Sequence, residues 1–253
     1  MSRGWQGVVL KALGASEHLL AVVSTSAPAP RVRRVRFLAS TLFQQVRPEP
    51  ATWLRFWFPD PDSGRREFQR AYTIAAADEA TGELDVDFVL HEPGGPASEW
   101  AATAAAGDRI AVMSMGSTPF RLLRERSGVL LAGDPSSLPA INAIVASLPS
   151  EVDVDVVLEH DHGDDELVPL AAHPRLELRR TAREGDDSLA GALAGRDWSG
   201  WQVWAAGESG SMKAVRRLLR SNSGVARSDV HAQAYWIEGR AMGTARGTGR
   251  ETP

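Results

Sequence analysis

The chain has 253 residues, 43% of them hydrophobic and 24% charged, which is enough apolar material for one large core or two ordinary ones. It has no cysteine, so disulfides, thiolate metal sites, all-cysteine iron–sulfur clusters and a cysteine nucleophile are excluded, and redox chemistry would need a bound organic cofactor. A net charge of −4 argues against nucleic-acid binding, and no apolar run approaches the roughly 20 residues of a membrane span. Met1 to Gln6 leads into only a short apolar stretch, so no signal peptide is expected and the cytoplasm is the default location.

In chain order, Val8-Val9-Leu10 and Leu19 to Val23 predict a strand or short helix around Gly14, and Ser24 to Pro30 a Ser/Pro-rich connection. Arg31 to Leu38, with four arginines, reads as an edge strand with a solvated basic face. Ala51 to Phe58 is an aromatic-rich strand and Asp60 to Glu67 a polar loop. Arg70-Ala71-Tyr72-Thr73-Ile74 then combines a fixed charge, a ring and a hydroxyl, with Tyr72 and Thr73 on opposite faces of a strand. Ala80-Thr81-Gly82 turns the chain into a second strand, Glu83 to Leu90. His91 to Ser98 carries two prolines and two glycines ahead of an Ala-rich run, a loop opening into a helix with Pro near its first position. Free N–H groups at such a helix start attract an anion, and an arginine on a neighbouring strand can hold the same anion. Together these residues suit a phosphate-bearing cofactor with a flat ring.

After Arg109 to Met115, another strand, the pattern changes near Ser127. Strands at Val129 to Ala132, Val152 to Leu158, Leu176 to Leu178, Gln202 to Ala206 and Val230 to Trp236 alternate with helices at Leu138 to Leu148, Ser188 to Leu193 and Glu208 to Arg220. This predicts an antiparallel Greek-key barrel followed by a doubly wound parallel sheet. The expected units are residues 1–126, 127–238 and a disordered Gly/Thr/Arg-rich tail over 239–253. His160-Asp161-His162-Gly163-Asp164-Asp165-Glu166 alternates imidazoles and carboxylates as a metal loop would, but a solvated loop after a parallel strand is the expectation, with no metal. Gly207-Glu208-Ser209-Gly210-Ser211 is the one elbow-like serine site, and it lacks the glycine a nucleophile elbow requires at Ser211.

Three ordered motifs resemble those of the siderophore-interacting proteins, ferredoxin-reductase-like flavoproteins. Arg70, Tyr72 and Thr73 match their Arg-x-Tyr-Ser/Thr. Asp87, Phe88, Val89 and His91 match Asp-Phe-Val-x-His, and Gly95, Pro96, Ala97, Ser98, Trp100 and Ala101 match Gly-Pro-Ala-Ser-x-Trp-Ala. In the second half Leu130 to Asp134 with Leu138, Pro139 and Ala140 match Leu-Leu-Ala-Gly-Asp-x-x-x-Leu-Pro-Ala. Trp204, Ala206, Gly207 and Glu208 match Trp-x-Ala-Gly-Glu, and Tyr235, Trp236 and Gly239 match Tyr-Trp-x-x-Gly.

The resemblance implies an FAD-binding β-barrel followed by a nicotinamide-binding domain, with electrons passing from NAD(P)H, or a ferredoxin, through FAD to a ferric siderophore or other small acceptor. It implies that Arg70 and the Gly95–Ser98 helix start meet the diphosphate and that Tyr72 packs on the flavin. Thr73 would lie near flavin N5 as the catalytic residue, and His91 and Trp236 would touch the cofactor. Gly133, Asp134, Gly207 and Glu208 would line the nicotinamide side. Arg65, Arg66 and Arg240 are candidates for attracting an anionic siderophore. The chain departs from the family pattern at Ala75, at Ser114 to Thr118, at Ala234 and at Pro135, which removes a backbone donor from a phosphate-type loop. These departures motivate the alternative of an FAD-holding scaffold, a binding protein or non-redox tailoring enzyme.

Overall fold

A computed structural model describes residues 16–61, 66–113, 118–221, 224–240 and 242. Val8 to Leu10, Arg65, the Ser114–Ser117 turn and most of the 239–253 stretch lie outside these residues. No helix of the described residues is long and apolar enough to cross a membrane.

Six antiparallel strands close into a barrel in the order β1-β2-β5-β4-β3-β6. They are β1 (Glu17–Ala29), β2 (Val32–Leu38), β3 (Trp53–Pro59), β4 (Glu67–Asp78), β5 (Glu83–Val89) and β6 (Arg109–Met113). A single turn, α1 (Ser40–Phe43), follows β2. Alternation puts Leu20, Val35, Phe37, Leu54, Phe56, Phe58, Leu84, Val86 and Phe88 inside, all essentially inaccessible. The helix α2 (Pro96–Thr103) closes one end of the barrel through Ala97 and Ala101, whose small side chains let it approach. Its Trp100 ring stacks on Phe37 at 6.2 Å and meets Phe58 at 5.7 Å.

Two expectations fail here. Ser24 to Pro30 is not a connection, because β1 runs on through Ala29. It stays paired with β2 by accepting irregularities between Val22 and Ser24 and between Ser26 and Ala29, the second spanning Pro28. Nor is β2 an edge strand, since it lies between β1 and β5. Its arginines are spent on partners: Arg34 grips Asp87 with two bonds of 2.7 Å, Arg36 grips Asp85 at 2.8 and 3.0 Å, and Arg33 donates to Thr25.

The second half is a five-stranded parallel sheet, order β11-β10-β7-β8-β9. Its strands are β7 (Gly128–Gly133), β8 (Asp153–His160), β9 (Leu176–Ala182), β10 (Trp201–Glu208) and β11 (Val230–Trp236). The central strand β7 is buried at every position, as its unbroken apolar run requires. Helix α3 (Leu138–Ser147) covers one face; α4 (Ser188–Leu193) and α5 (Ser209–Ser221) cover the other. Ala29, Val32, Ala51 and Phe120 of the first half share an apolar cluster with Leu131, Leu138 and Ile141 of the second. Helix α3 also lies against β4. The barrel strand with the Arg-x-Tyr-Thr motif is thereby held beside the carboxyl ends of the parallel strands, where α/β sheets bind ligands.

Candidate functional site

The barrel is not sealed along its whole length. The β4–β5 ladder runs from Asp78↔Glu83 to Ile74↔Val86, with an irregularity at Ala75. Beyond it, Arg70 to Thr73 pair only with β3, and Asp87 to Val89 only with β2, among the described residues. The two strands part and leave a seam. Tyr72 and Phe88 bridge it with ring centroids 4.4 Å apart, backed by Phe56 and Phe58. Phe88 is fully buried and serves as floor rather than lining. Tyr72 is half-buried, and that burial raises its phenol pKa.

Arg70 shares the Tyr72 side of β4. It is half-buried, and burial lowers its pKa, yet among the described residues no carboxylate pairs with it. Its contacts are the Gln69 carbonyl at 2.7 Å and the Phe68 ring at 5.9 Å. A desolvated guanidinium without a counter-ion is ready for an anion.

The far end of the seam is the start of α2. Gly95 is its N-cap with extended backbone and no side-chain cap, and Pro96 opens the first turn. The first-turn N–H groups are left without a capping side chain, beside the positive end of the helix. The Ser98 hydroxyl accepts the His91 backbone N–H at 3.3 Å, and exposed His91 donates from Nδ1 to the Pro93 carbonyl at 2.8 Å. Val89 is half-buried beside them. Asp87 stands apart: its carboxylate is saturated by Arg34 across β2, so it holds the strand pair together. A double-mutant cycle of Arg34→Ala and Asp87→Ala is therefore expected to show a coupling of about 1 kcal/mol in denaturant unfolding, modest because Arg34 is partly exposed. Flavin affinity of Asp87→Ala should stay within about threefold of the parent. A larger loss would make Asp87 a cofactor ligand instead.

The opposite face of β4 carries Thr73, 5% exposed. Its hydroxyl makes polar contact with the Tyr235 phenol at the end of β11, whose pKa burial pushes up to about 12. This contact joins the seam to the carboxyl edge of the parallel sheet. Tyr235 was visible in the sequence only as part of the Tyr-Trp motif; its ring, not that of Trp236, faces the hydroxyl.

Along that edge Gly133 ends β7, where any Cβ would stand 2.0 Å from Ser137 Oγ and 2.4 Å from the Ala206 carbonyl. Asp134 follows, 6% exposed. Its Oδ2 accepts the Glu208 N–H at 3.0 Å and the Trp236 indole N–H at 2.7 Å, while Oδ1 accepts the Ser136 N–H at 2.9 Å. Burial raises its pKa despite these donors. Gly207 lies against the same carboxylate, 2.6 Å from where a Cβ would be. This loop has few free donors: Pro135 has no N–H, the Asp134 N–H goes to the Ser137 hydroxyl, that of Ser136 to the Asp134 carboxylate and that of Ser137 to the Asp134 carbonyl. Glu208 is also buried; the N–H groups of Glu238, Gly210 and Ser211 outweigh that burial and hold its pKa below the usual value. Trp236, anchored on Asp134, lies under the Arg183 guanidinium at 5.4 Å.

The metal-like loop has a different use. Asp165 accepts the backbone N–H groups of Asp161 and His162, and the His162 side chain caps the same 3-10 turn, Gly163–Leu167. His160 faces Glu166 at 3.3 Å. No group of three or more His, Asp or Glu among the described residues is arranged to hold a metal ion. Arg66 and Arg240 are exposed and far apart in the chain, and among the described residues no hydrogen bond or ion pair links either to Arg70, Tyr72 or the start of α2.

With the geometry in place, comparison with known proteins is decisive. Residues 42–117 match the siderophore-interacting FAD-binding domain, and residues 126–239 match the siderophore-interacting protein family. The chain belongs to the siderophore-interacting protein family. A siderophore-interacting relative of known structure, the siderophore utilization protein from T. fusca, superposes with a TM-score of 0.79 at 28% identity, over 90% of this chain and 95% of that one. Ferric vibriobactin reductase ViuB of Vibrio cholerae is 32% identical over 179 residues, 68% of this chain and 65% of ViuB. The mycobactin import ATP-binding/permease protein IrtA of Mycolicibacterium thermoresistibile is 52% identical over 251 residues, 98% of this chain. The chain spans 28% of that IrtA's length. The family's fold, barrel then parallel sheet, is the one described above.

Proposed function

We propose that this family member is an FAD-dependent reductase that passes electrons from NAD(P)H to a ferric siderophore or similar small acceptor, releasing ferrous iron. The observation that carries the reading is the seam: a half-buried Arg70 on β4 with no carboxylate partner among the described residues, and a helix start at Gly95 with no side-chain cap. Those residues fit a dinucleotide flavin, whose diphosphate needs both. Arg70 and the N–H groups of the first α2 turn would hold the diphosphate; Tyr72 and Val89 would line the ring's slot; His91 would flank the helix start. Thr73 would present a hydroxyl to the reacting edge of the ring, with Tyr235 orienting it. Gly133, Asp134, Gly207, Glu208 and Trp236 would shape the donor side. When bound, FAD supplies the exchange between two-electron and one-electron chemistry, and the protein supplies placement and exclusion of water.

In this reading residues 1–126 form the flavin unit and 127–238 the donor unit, and the protein works in the cytoplasm, where reduced dinucleotide is held. A reductase named for ferric vibriobactin among the relatives favours a ferric siderophore as acceptor. The test is purification followed by anaerobic mixing. The protein is expected to be yellow, with about one FAD per chain, to bleach on adding NADH, and to recover colour when a ferric siderophore is added. A protein that neither carries nor takes up FAD refutes the reading. One that binds FAD but is reduced by no dinucleotide is a flavin-holding scaffold.

A further inference from the structure

At the carboxyl edge of the parallel sheet, Arg183 is the first residue past β9. In α/β dinucleotide sites an arginine near this edge meets the 2′-phosphate that distinguishes NADPH from NADH. This arginine is not free to do so. Its side chain is 9% exposed and ringed by Glu238 at 3.0 Å, Glu159 at 3.6 Å, Asp161 at 3.7 Å, Asp186 at 3.8 Å and Glu208 at 3.9 Å. One positive charge among five carboxylates leaves a surplus of negative charge where a phosphate would arrive. Neighbouring arginines do not relieve it. Arg179 is held by Asp155 and the Ala192 carbonyl, and Arg180 reaches the Glu166 carbonyl.

We propose that Arg183 sets the donor specificity of this site: clamped by the chain's own carboxylates, it is withheld from a 2′-phosphate, and the site takes NADH in preference to NADPH. The inference rests on the reading of this edge as the donor site. The clamp has two layers. Glu159 and Glu208 are almost inaccessible, at 2% and 4%, and fix the guanidinium in place. Asp161, Asp186 and Glu238 are 44%, 66% and 74% exposed and form the outer layer. Neutralising Asp161 and Glu238 leaves a positioned arginine opposed on its outer side by Asp186 alone.

The experiment uses the FAD-loaded protein and calorimetric titration at low salt with AMP and adenosine 2′,5′-bisphosphate, so no turnover is needed. The parent is expected to bind AMP at least as tightly as the bisphosphate. Asp161→Asn/Glu238→Gln is expected to bind the bisphosphate about tenfold more tightly than the parent, with AMP unchanged within about threefold. Adding Arg183→Lys to that background should keep only part of the gain, because an ammonium lacks the planar fork, and Arg183→Ala should abolish it. If Arg183→Ala fails to fold, the lysine variant alone decides. A parent that prefers the bisphosphate, a double variant with no gain, or a gain indifferent to Arg183 overturns the proposal while leaving the donor site intact. If neither nucleotide binds any variant, the proposal fails together with the reading of the edge as a donor site.

Discussion

Arg70→Ala is expected to raise the dissociation constant for FAD roughly 10- to 150-fold, the loss of a hydrogen bond to a charged group worth about 1.5–3 kcal/mol. The same change should leave the flavin-free protein as stable as the parent, or slightly more so. Arg70 is desolvated and, among the described residues, has no carboxylate to lose; its contacts are the Gln69 carbonyl and the Phe68 ring, over which the guanidinium lies. That combination separates a ligand-binding arginine from a structural one such as Arg34, whose removal strands the buried Asp87 carboxylate. Arg70→Lys should recover part of the affinity, since a point charge replaces the fork. Arg109→Ala, exposed at the start of β6, is the control. The measurements are FAD titration of the apoprotein and a melt without flavin. Unchanged affinity in Arg70→Ala, or a large drop in melting temperature before any flavin is added, refutes the assignment.

Asp134→Ala is expected to act in the opposite way, on stability first. The carboxylate joins the loop after β7 to the ends of β10 and β11, and its removal strands the buried Glu208 N–H and the half-buried N–H groups of the Trp236 indole and Ser136. Each stranded donor costs about 1–3 kcal/mol before relaxation, so a net loss of about 3–4 kcal/mol follows. For a chain of this size that lowers the melting midpoint by roughly 6–16 °C. Asp134→Asn should recover only part, because one of its two terminal atoms then donates where donors already point. An Asp134→Ala protein that melts with the parent would return Asp134 to the cofactor-contact role its motif implies.

The arrangement of elements was legible because each carries a local signal: period-two alternation in the barrel strands, an unbroken apolar run in β7 and the apolar stretch Val156 to Leu158 in β8, Pro96 at a helix start, Gly82 at a hairpin turn with φ of 74°. The motifs placed the seam, too. What escaped was everything decided by a partner far along the chain. The three arginines of β2 look alike in the sequence whether solvated or paired, and the carboxylates that claim Arg34 and Arg36 lie about fifty positions away. Asp87 sits inside a cofactor motif but answers to β2. Arg179, Arg180 and Arg183 lie close together in the sequence, and only the fold brings five acidic side chains from four separate segments onto Arg183. Ser24 to Pro30 has turn-like composition, and only its neighbour β2 keeps it extended.

The parting of β4 from β5 below Ile74↔Val86 also bears on how the protein is made. Two strand edges that face each other without a ladder are each able to recruit a strand from another molecule. On the reading proposed above, a flavin seated between them would cover both edges at once and act as the barrel's missing seal as well as its electron carrier. Yield in a producing cell then follows the ratio of flavin supply to synthesis rate. Chains made faster than flavin arrives are then expected to associate edge to edge and collect in the insoluble fraction, out of reach of flavin added after lysis.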